Sequence, residues 1–584
     1  MKRYLLLGGL LVVCGAILSV YALWTNSFGK WVSGLRGGGK EGTPISQAKG
    51  PWFVDVASES GVDFVHNHGG CGRRYVMEPM SAGVALFDYD GDGWIDIYFL
   101  NGAPLLGSDP NLKLFNALYR NLGGWQFQDV GGLAAVDDRG YGLGVASGDY
   151  NNDGFADLYV NNFGPNVLYR NNGDGTFSDV TSEAGVENGH RVGAGVVFFD
   201  MDRDGDLDLY VGNYIKFRYE LHITRYVGGY PRYPSPREYE PDPDTLYRNN
   251  GDGSFTDVSA ESGISRHAGT TMGITAADYD DDGDVDIFVC NDVRANFLFR
   301  NNGDGVFEEV ALIAGTAYNG YGAENASMGV DAGDFNGDGR IDFYMTSYQG
   351  EFPVLYQNEG EGIFTDVTVE RGAGQGCFPH VNWGTGFADF DNDGDRDLYV
   401  ACGHVDDLID YIDPSTSFAA PNVLLLNDGT GHFVDASKES GPGLQVCLPS
   451  RGTGLDDLDN DGDVDIVVLN LNSQASVLRN DLRGGGHWFQ VRLIGTESSR
   501  DAVGARVRVF AGGRWQVDEV HSGRGYQSDH GKRLHFGLGK SNRVDKLEIR
   551  WPRGKVSVYG PLPADCFATF VEGEERPYIS PVNP

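Results

Sequence analysis

Three carboxylates at alternate positions of one short turn call for a cation, because charges that close repel one another without one. Asp88-Tyr89-Asp90-Gly91-Asp92-Gly93-Trp94-Ile95-Asp96 is such a turn. Positions 1, 3 and 5 place Asp88, Asp90 and Asp92 along one side of it. Gly93 at position 6 permits a reversal that a Cβ would obstruct. Trp94 at position 7 offers its backbone carbonyl, and Asp96 at position 9 returns a last carboxylate. Calcium takes six to eight hard oxygens at about 2.3–2.6 Å, and this loop gathers them; magnesium prefers a small octahedral shell that keeps its waters.

The pattern recurs at Asp149, Asn151, Asp153, Phe155 and Asp157, and at Asp200, Asp202, Asp204, Asp206 and Asp208. It returns at Asp278, Asp280, Asp282, Asp284 and Asp286, and at Asp334, Asn336, Asp338, Arg340 and Asp342. The last two copies are Asp389, Asp391, Asp393, Asp395 and Asp397, and Asp457, Asp459, Asp461, Asp463 and Asp465. In each set the fourth residue sits at position 7 and contributes a main-chain oxygen. Asn151 and Asn336 keep an oxygen but drop a charge, so their sites should be the weaker ones. Asp, Asn and Gly also make ordinary turns, which would explain one copy but not seven. An EF-hand opens in the same way but closes at position 12 between helices. Here each loop closes at position 9 and runs into an apolar strand. The expected cofactor is therefore Ca2+, up to seven ions.

The elements that must carry these loops repeat with them. A glycine precedes each first Asp by five residues: Gly83, Gly144, Gly195, Gly273, Gly329, Gly384 and Gly452. In six repeats a hairpin follows the loop, as in Leu168-Tyr169-Arg170-Asn171-Asn172-Gly173-Asp174-Gly175-Thr176-Phe177. Four strands in about 50 residues suit a propeller blade. A Phe-x-Asp/Glu strand begins at Phe53, Phe127, Phe177, Phe255, Phe307, Phe364 and Phe433. Its first copy precedes every loop, and the last loop has none after it. Docking residues 53–56 on the final repeat would close a ring and remove an exposed edge. The reading is all-β: a seven-bladed β-propeller over 51–482, with a linear array of repeats as the alternative. These motifs resemble the FG-GAP/VCBS repeat family, known from integrin alpha subunits, and the resemblance implies calcium in the loops.

Residues 483–576 form a second module of alternating apolar strands, such as Trp488–Leu493, Ala505–Val509 and Leu547–Trp551, expected to make a β-sandwich-like domain; 577–584 are read as a tail. The strings Ser499-Arg500-Asp501-Ala502-Val503-Gly504, Gly523-Arg524-Gly525-Tyr526-Gln527-Ser528 and His535-Phe536-Gly537-Leu538-Gly539 resemble the ASPIC/UnbV domain. Its pairing with the repeats resembles the cartilage acidic protein family, which implies an extracellular calcium-binding protein without a settled catalytic activity. The module is basic, with Arg492, Arg500, Arg506, Arg508, Arg514, Arg524, Lys532 and Arg533. These side chains form a solvated face, dock on the acidic repeats, or hold an anionic ligand.

The chain opens Met1-Lys2-Arg3, then runs apolar from Tyr4 to Trp24, long enough to span a bilayer. Residues 1–24 are read as an N-terminal hydrophobic helix acting as a signal anchor, with Lys2 and Arg3 cytoplasmic; a cleaved signal peptide is the rival. Residues 25–50 read as a flexible linker. The rest would lie outside the cytosol, in the periplasm or at the cell surface. The formal charge is −38, and seven divalent ions would leave −24. That surplus argues against a nucleic-acid partner. Cys71, Cys290, Cys377, Cys402, Cys447 and Cys566 could form disulfides in such a compartment, with no pairing indicated.

The interval from Asp200 to Asp278 is the longest, and its excess, at 214–243, is rich in Tyr, Arg and Pro. A shorter insertion follows Cys402, from His404 to Pro421. Tyr and Arg dominate binding hot spots, so 214–243 is either a self-packed cap or a ligand-contacting loop. No Ser-His-Asp order, zinc spacing or isolated carboxylate pair stands out. His66, His68, Arg73, Arg74 and Glu78 crowd before the first repeat, and His380 and His404 flank the sixth loop. The functional expectation is a binding or adhesion module for a protein or glycan partner at the cell envelope. The alternative is a calcium-dependent polysaccharide lyase or hydrolase.

Overall fold

The computed structural model describes residues 50–81 and 83–581. The expected N-terminal helix and most of the linker lie outside the described residues. Among the described residues no helix is long and apolar enough to cross a membrane.

Seven four-stranded antiparallel units follow one another along the chain. Their first strands are Val84–Phe87, Tyr141–Gly148, Arg191–Phe199, Thr271–Ala277, Val330–Gly333, Asn382–Ala388 and Ser450–Asp456. In each unit a metal-type loop joins the first strand to the second, and the second, third and fourth pair in order. The second and third units are also joined, through Arg191 and Val192 against Gly164 and Phe163. The seventh unit takes its fourth strand from the other end of the chain. Phe53 pairs with Asn480, Val54 with Arg479 and Asp55 with Leu478. The first strand of each unit touches that of the next, and the seventh touches the first.

The recurrent glycine has a steric reason. A Cβ on Gly144 would lie 2.0 Å from the Ala194 carbonyl oxygen, and one on Gly329 would lie 2.3 Å from that of Trp383. Gly195, Gly273 and Gly384 face the carbonyls of Met272, Met328 and Arg451 in the same way. Each of these acceptors precedes the corresponding glycine of the following unit. First strands therefore converge so closely that a methyl group does not fit between them.

Residues from His487 onward form two further four-stranded sheets. One orders Leu534–Gly539, His487–Ile494, Cys566–Val571 and Tyr578–Pro581; the other orders Arg514–Glu519, Arg506–Ala511, Lys546–Arg550 and Val556–Tyr559. Tyr578–Pro581 is thus an edge strand paired with Cys566–Thr569 and not part of a tail, because it covers an otherwise open edge. Phe489, Val507, Val509, Phe536, Leu547, Ile549 and Phe570 are fully buried in the core cluster these sheets share.

One loop of this module runs through the place where the seven first strands meet. His521 Nδ1 lies 2.8 Å from the Ala276 carbonyl oxygen, and Ser522 Oγ donates to that of Ser147 at 2.5 Å. Gly525 N donates to Val330 O at 2.7 Å, and Asp529 N to Val84 O at 2.9 Å. A Cβ on Gly523 would strike the Val196 carbonyl, and one on Gly531 would lie 2.9 Å from Asp456. Tyr526, fully buried, sets its ring edge-on to Trp383 at 4.9 Å. The segment 521–531 thereby touches the first strand of every unit. The six cysteines of the described residues are all unpaired.

The close approach is testable by urea unfolding. Gly329→Ala should cost about 1–3 kcal/mol, the usual penalty for overpacking. Gly132→Ala, which meets nothing within 4 Å in a short helix, should be neutral or slightly stabilising. Equal midpoints for the two variants would contradict the convergence.

Candidate metal centres

The seven loops share one hydrogen-bonding plan. The glycine at position 6 donates to the carboxylate at position 1, as from Gly93 to Asp88 Oδ2 at 3.1 Å and from Gly462 to Asp457 Oδ2 at 2.8 Å. The residue at position 7 donates to position 5, as from Trp94 to Asp92 Oδ1 at 3.0 Å and from Asp463 to Asp461 Oδ1 at 2.9 Å. These N–H groups fold the loop and turn its carboxylates inward. The residue at position 4 also takes a left-handed backbone, with φ of 58° at Asn152 and 60° at Asp281, a requirement missed when only position 6 is considered.

Five loops bring at least three carboxylates together, with ligand atoms within 4.8 Å of one another. They are Asp88, Asp90 and Asp96; Asp200, Asp202 and Asp208; Asp278, Asp280 and Asp282; Asp389, Asp391 and Asp397; and Asp457, Asp459 and Asp465. The remaining two are the loops in which Asn151 and Asn336 replace the carboxylate at position 3. The donor set fits a hard cation. Asp88 Oδ1, Asp202 Oδ1, Asp280 Oδ1, Asp286 Oδ2 and Asp459 Oδ1 are buried with no hydrogen-bond partner in the chain. Burial pushes the carboxyls of Asp149, Asp200 and Asp457 up to about 7. It also raises Asp96, Asp157, Asp208, Asp286, Asp342, Asp397 and Asp465 well above the usual carboxylate range. Buried acids in this state lack a counter-charge, which a divalent ion would supply.

The carboxylate at position 9 has a second task. One oxygen of Asp96 accepts from Tyr89 N at 3.0 Å, and the other accepts from Asn121 N, on the third strand, at 2.7 Å. Asn121 Nδ2 then reaches the neighbouring unit and donates to Leu458 O at 2.8 Å. The same link runs from Asn171 to Tyr89, Asn249 to Tyr150, Asn301 to Met201 and Asn358 to Tyr279, then from Asn427 to Phe335 and Asn480 to Phe390. All seven are 2.8–2.9 Å long and form a closed cycle. Each asparagine thus ties its own loop to position 2 of the loop before it. The recurring Asn was visible in strings such as Tyr-Arg-Asn, but its partner lies in another repeat.

The C-terminal module sits on these loops. Arg550 contacts Asp278 Oδ2 and reaches Asp281 at 3.0 Å, and Arg506 reaches Asp281 at 2.6 Å. Arg514 pairs with Asp395 at 2.6 Å, and Arg533 pairs with Asp456 at 2.8 Å while donating to Asp457 O. Gln490 donates to Asp457 Oδ2 at 2.7 Å, and Asp501 accepts from Asp149 N at 2.8 Å. Of the basic side chains noted in the sequence, Arg506, Arg514, Arg524, Lys532 and Arg533 are held in ion pairs along this interface or in the axial loop. Arg508 pairs within its own sheet with Glu548. Docking on the acidic repeats accounts for most of the basic set.

The histidines before the first repeat have local partners. His66 lies 3.0 Å from Ser81 Oγ, and burial lowers its pKa to about 3, which keeps it neutral. Glu78 accepts from Tyr75 N at 2.9 Å, and Arg74 pairs with Asp407 at 2.6 Å. His404 Nδ1 accepts from Asp406 N at 2.9 Å.

The FG-GAP-like repeat family matches residues 88–160, 149–211, 238–289, 278–345 and 334–400, and the ASPIC and UnbV family matches 495–577. The chain belongs to the FG-GAP-repeat proteins that carry an ASPIC/UnbV domain. It is 27 % identical over 505 residues to cartilage acidic protein 1 of Homo sapiens, covering 82 % of this chain and 69 % of that protein. To cartilage acidic protein 1 of Xenopus tropicalis it is 26 % identical over 515 residues, covering 82 % and 71 %. The seventh loop, from Asp457, lies outside the matched repeats yet has the same geometry. Among solved structures, an Agrocybe aegerita lectin aligns at a TM-score of 0.36 and 18 % identity over 69 % of this chain and 90 % of its own. So partial an overlap says nothing about ligand or activity.

The cycle of asparagines gives a direct prediction. Asn301 is 2 % exposed and donates to both Met201 O and Val285 O. Asn301→Ala should lower unfolding free energy by about 1–3 kcal/mol, the cost of orphaning buried acceptors. Asn302→Ala, one residue along on the exposed turn, should change it by less than about 0.5 kcal/mol.

Proposed function

We propose that this FG-GAP-repeat protein is an extracytoplasmic, calcium-loaded, seven-bladed β-propeller over residues 51–482 with an ASPIC/UnbV domain over 483–576. Its role is to bind a protein or glycan partner at the cell envelope. Calcium takes the side-chain oxygens at positions 1, 3, 5 and 9 of each loop and the main-chain oxygen at position 7. It supplies positive charge to buried acids and performs no chemistry on a substrate. The apolar run from Tyr4 to Trp24 anchors the chain in the membrane.

The observation that carries the binding role is the division of labour between the two ends of the strands. Six of the loops after the first strands contact the C-terminal module. The insertions follow second strands, Asp208–Asn213 and Asp397–Cys402, and so lie at the opposite end. Part of 214–243 packs as a cap. Tyr75 meets Tyr219 at 4.9 Å, His222 lies 2.7 Å from Arg73 O, and Arg237 pairs with Glu324 at 2.7 Å. Another part faces solvent. Tyr226 is 68 % exposed, and Tyr230 stacks on Tyr411 of the second insertion at 6.1 Å. Paired exposed tyrosines on a braced support make a surface for a partner that would otherwise order a loop on binding.

Two measurements test this reading. A chelator should lower the melting temperature of the full chain sharply, and added calcium should restore it. A single site held at 100 times its Kd contributes about 2.7 kcal/mol. On a glycan array, and in envelope cross-linking, capture should require calcium and weaken at least tenfold in Tyr226→Ala/Tyr230→Ala. An unchanged melting curve in chelator, or capture indifferent to the tyrosines, would overturn the proposal.

A further inference from the structure

The insertion-bearing end of the ring holds a cavity of about 290 Å³, near the lower end of the range for small-molecule sites, about 300–1,000 Å³. Met80, Met272, Met328 and Trp383 form its floor, and Arg232–Pro236 of the long insertion form its roof. The axial Tyr526 braces the floor from beneath: its hydroxyl donates to Met80 O at 3.0 Å and its ring packs on Trp383. The floor is thioether and indole, soft and polarizable surfaces that accommodate an alkyl chain or a cation.

Three carboxylates line the cavity: Asp406, held by Arg232 and Arg74, and Asp292 and Glu351, which have no ion-pair partner among the described residues. Asp292 is 9 % exposed; its Oδ2 accepts from Tyr214 Oη at 2.7 Å. Glu351 Oε2 accepts from Ala326 N at 2.9 Å. Asp292 Oδ1 has no donor among the described residues, the Tyr348 backbone also hydrogen-bonds the Glu351 carboxylate, and neither acid has an ion-pair partner there. Most of the nearby cations are committed to other acids; Arg451 has no ion-pair partner among the described residues, lies over the Trp383 ring at 4.2 Å and donates to the carbonyls of Pro79, Gly403, Ser450 and His404. Arg232 pairs with Asp406, Arg74 with Asp406 at 3.4 Å and Asp407 at 2.6 Å, and Arg237 with Glu324 at 2.7 Å. Burial raises both acids, Asp292 to about 6; the charge of Glu351 adds to the rise of Asp292, and the charge of Arg237 opposes the rise of both. Asp292 is buried and Glu351 half-buried, with no ion-pair partner at contact distance; such acids are costly, and a ligand that brings the charge would remove the cost.

The shape of the site selects among cations. Calcium requires six to eight oxygens, and apart from Asp406, which is held by two arginines, this wall offers two carboxylates over a sulfur and aromatic floor. An ammonium group has three donors, enough for the free Asp292 oxygen, the Glu351 carboxylate and one of the tyrosine hydroxyls at the wall. Its alkyl stem would lie on the methionines and Trp383. Anions are repelled, and neutral sugars would leave the paired acids uncompensated.

We propose that this cavity binds a primary alkylammonium group, the chemistry shared by free alkylamines and the lysine side chain of a protein partner. The proposal rests on the insertion end of the ring being the binding face.

Calorimetric titration of the full chain in calcium-containing buffer at neutral pH tests it, with n-hexylamine, n-hexanol and hexanoate as probes. Hexylamine should bind at least tenfold more tightly than hexanol, and hexanoate should not bind. Asp292→Asn should weaken hexylamine tenfold or more and leave hexanol unchanged. Glu351→Gln, at a half-buried position, gives the same readout if the first variant fails to fold. A capped Gly-Gly-Lys-Gly-Gly peptide separates the sources: tighter binding than hexylamine assigns the site to a protein lysine, and weaker binding assigns it to a free amine. Equal affinity for hexylamine and hexanol, preference for hexanoate, or no hexylamine binding at millimolar concentration would overturn the proposal. If partner capture persists in calcium while hexylamine fails, only the ligand assignment falls. If capture fails as well, the binding-face reading falls with it.

Discussion

Each asparagine at the end of a third strand bonds to two acidic loops at once, and the rest of the structure depends on that contact. Its N–H meets the closing carboxylate of its own loop, and its side-chain amide meets the second carbonyl of the preceding one. One such hydrogen bond contributes only about 1 kcal/mol. Arranged in a cycle, however, each fixes the spacing that its neighbours require, so no loop can relax without disturbing the next. The convergent glycines do the same at the centre, where carbonyl oxygens of one unit lie where a methyl group of the next would be.

This arrangement concentrates negative charge on one side of the ring, and that charge must be balanced. Part of the balance is internal. Arg506, Arg514, Arg533 and Arg550 of the C-terminal module reach into the loops, and the segment 521–531 runs through the centre to touch all seven units. The inward carboxylate oxygens, buried and without donors, are left for a cation. The two contributions are coupled. Arg550 and Gln490 contact position-1 carboxylates, the groups that a metal ion would also draw inward. Loop and docked module are therefore joined at the groups that could hold a metal ion, and the insertions lie at the other end of the ring.

Much of this was legible in the sequence because it is local. Nine residues contain the whole loop, and the misplaced Phe53 strand reveals that the last unit borrows its edge from the first part of the chain. The asparagine cycle was only half legible: Asn121, Asn171 and their counterparts repeat visibly, but their acceptors lie in other repeats. The axial segment was not legible at all. Gly523-Arg524-Gly525-Tyr526 carries a resemblance to the ASPIC/UnbV domain but no sign of its place, and only the converging strands give those glycines a reason, as at Gly523, where a Cβ would meet the Val196 carbonyl. Tyr578–Pro581 was likewise missed, because an edge strand near a terminus has no partner pattern of its own. The composition of the long insertion does not choose between a cap and a contact surface; its buried Tyr214 belongs to a packed part, and its exposed Tyr226 faces solvent.

Metal stoichiometry tests the central claim most directly. Native mass spectrometry of the full chain, exchanged into calcium and then desalted, counts the ions that the loops retain. The account predicts up to seven calcium ions per chain, five held firmly by the loops with a carboxylate at position 3 and two lost first from those with Asn151 and Asn336. A chain that retains no calcium, or that loses ions without regard to those two loops, would contradict it.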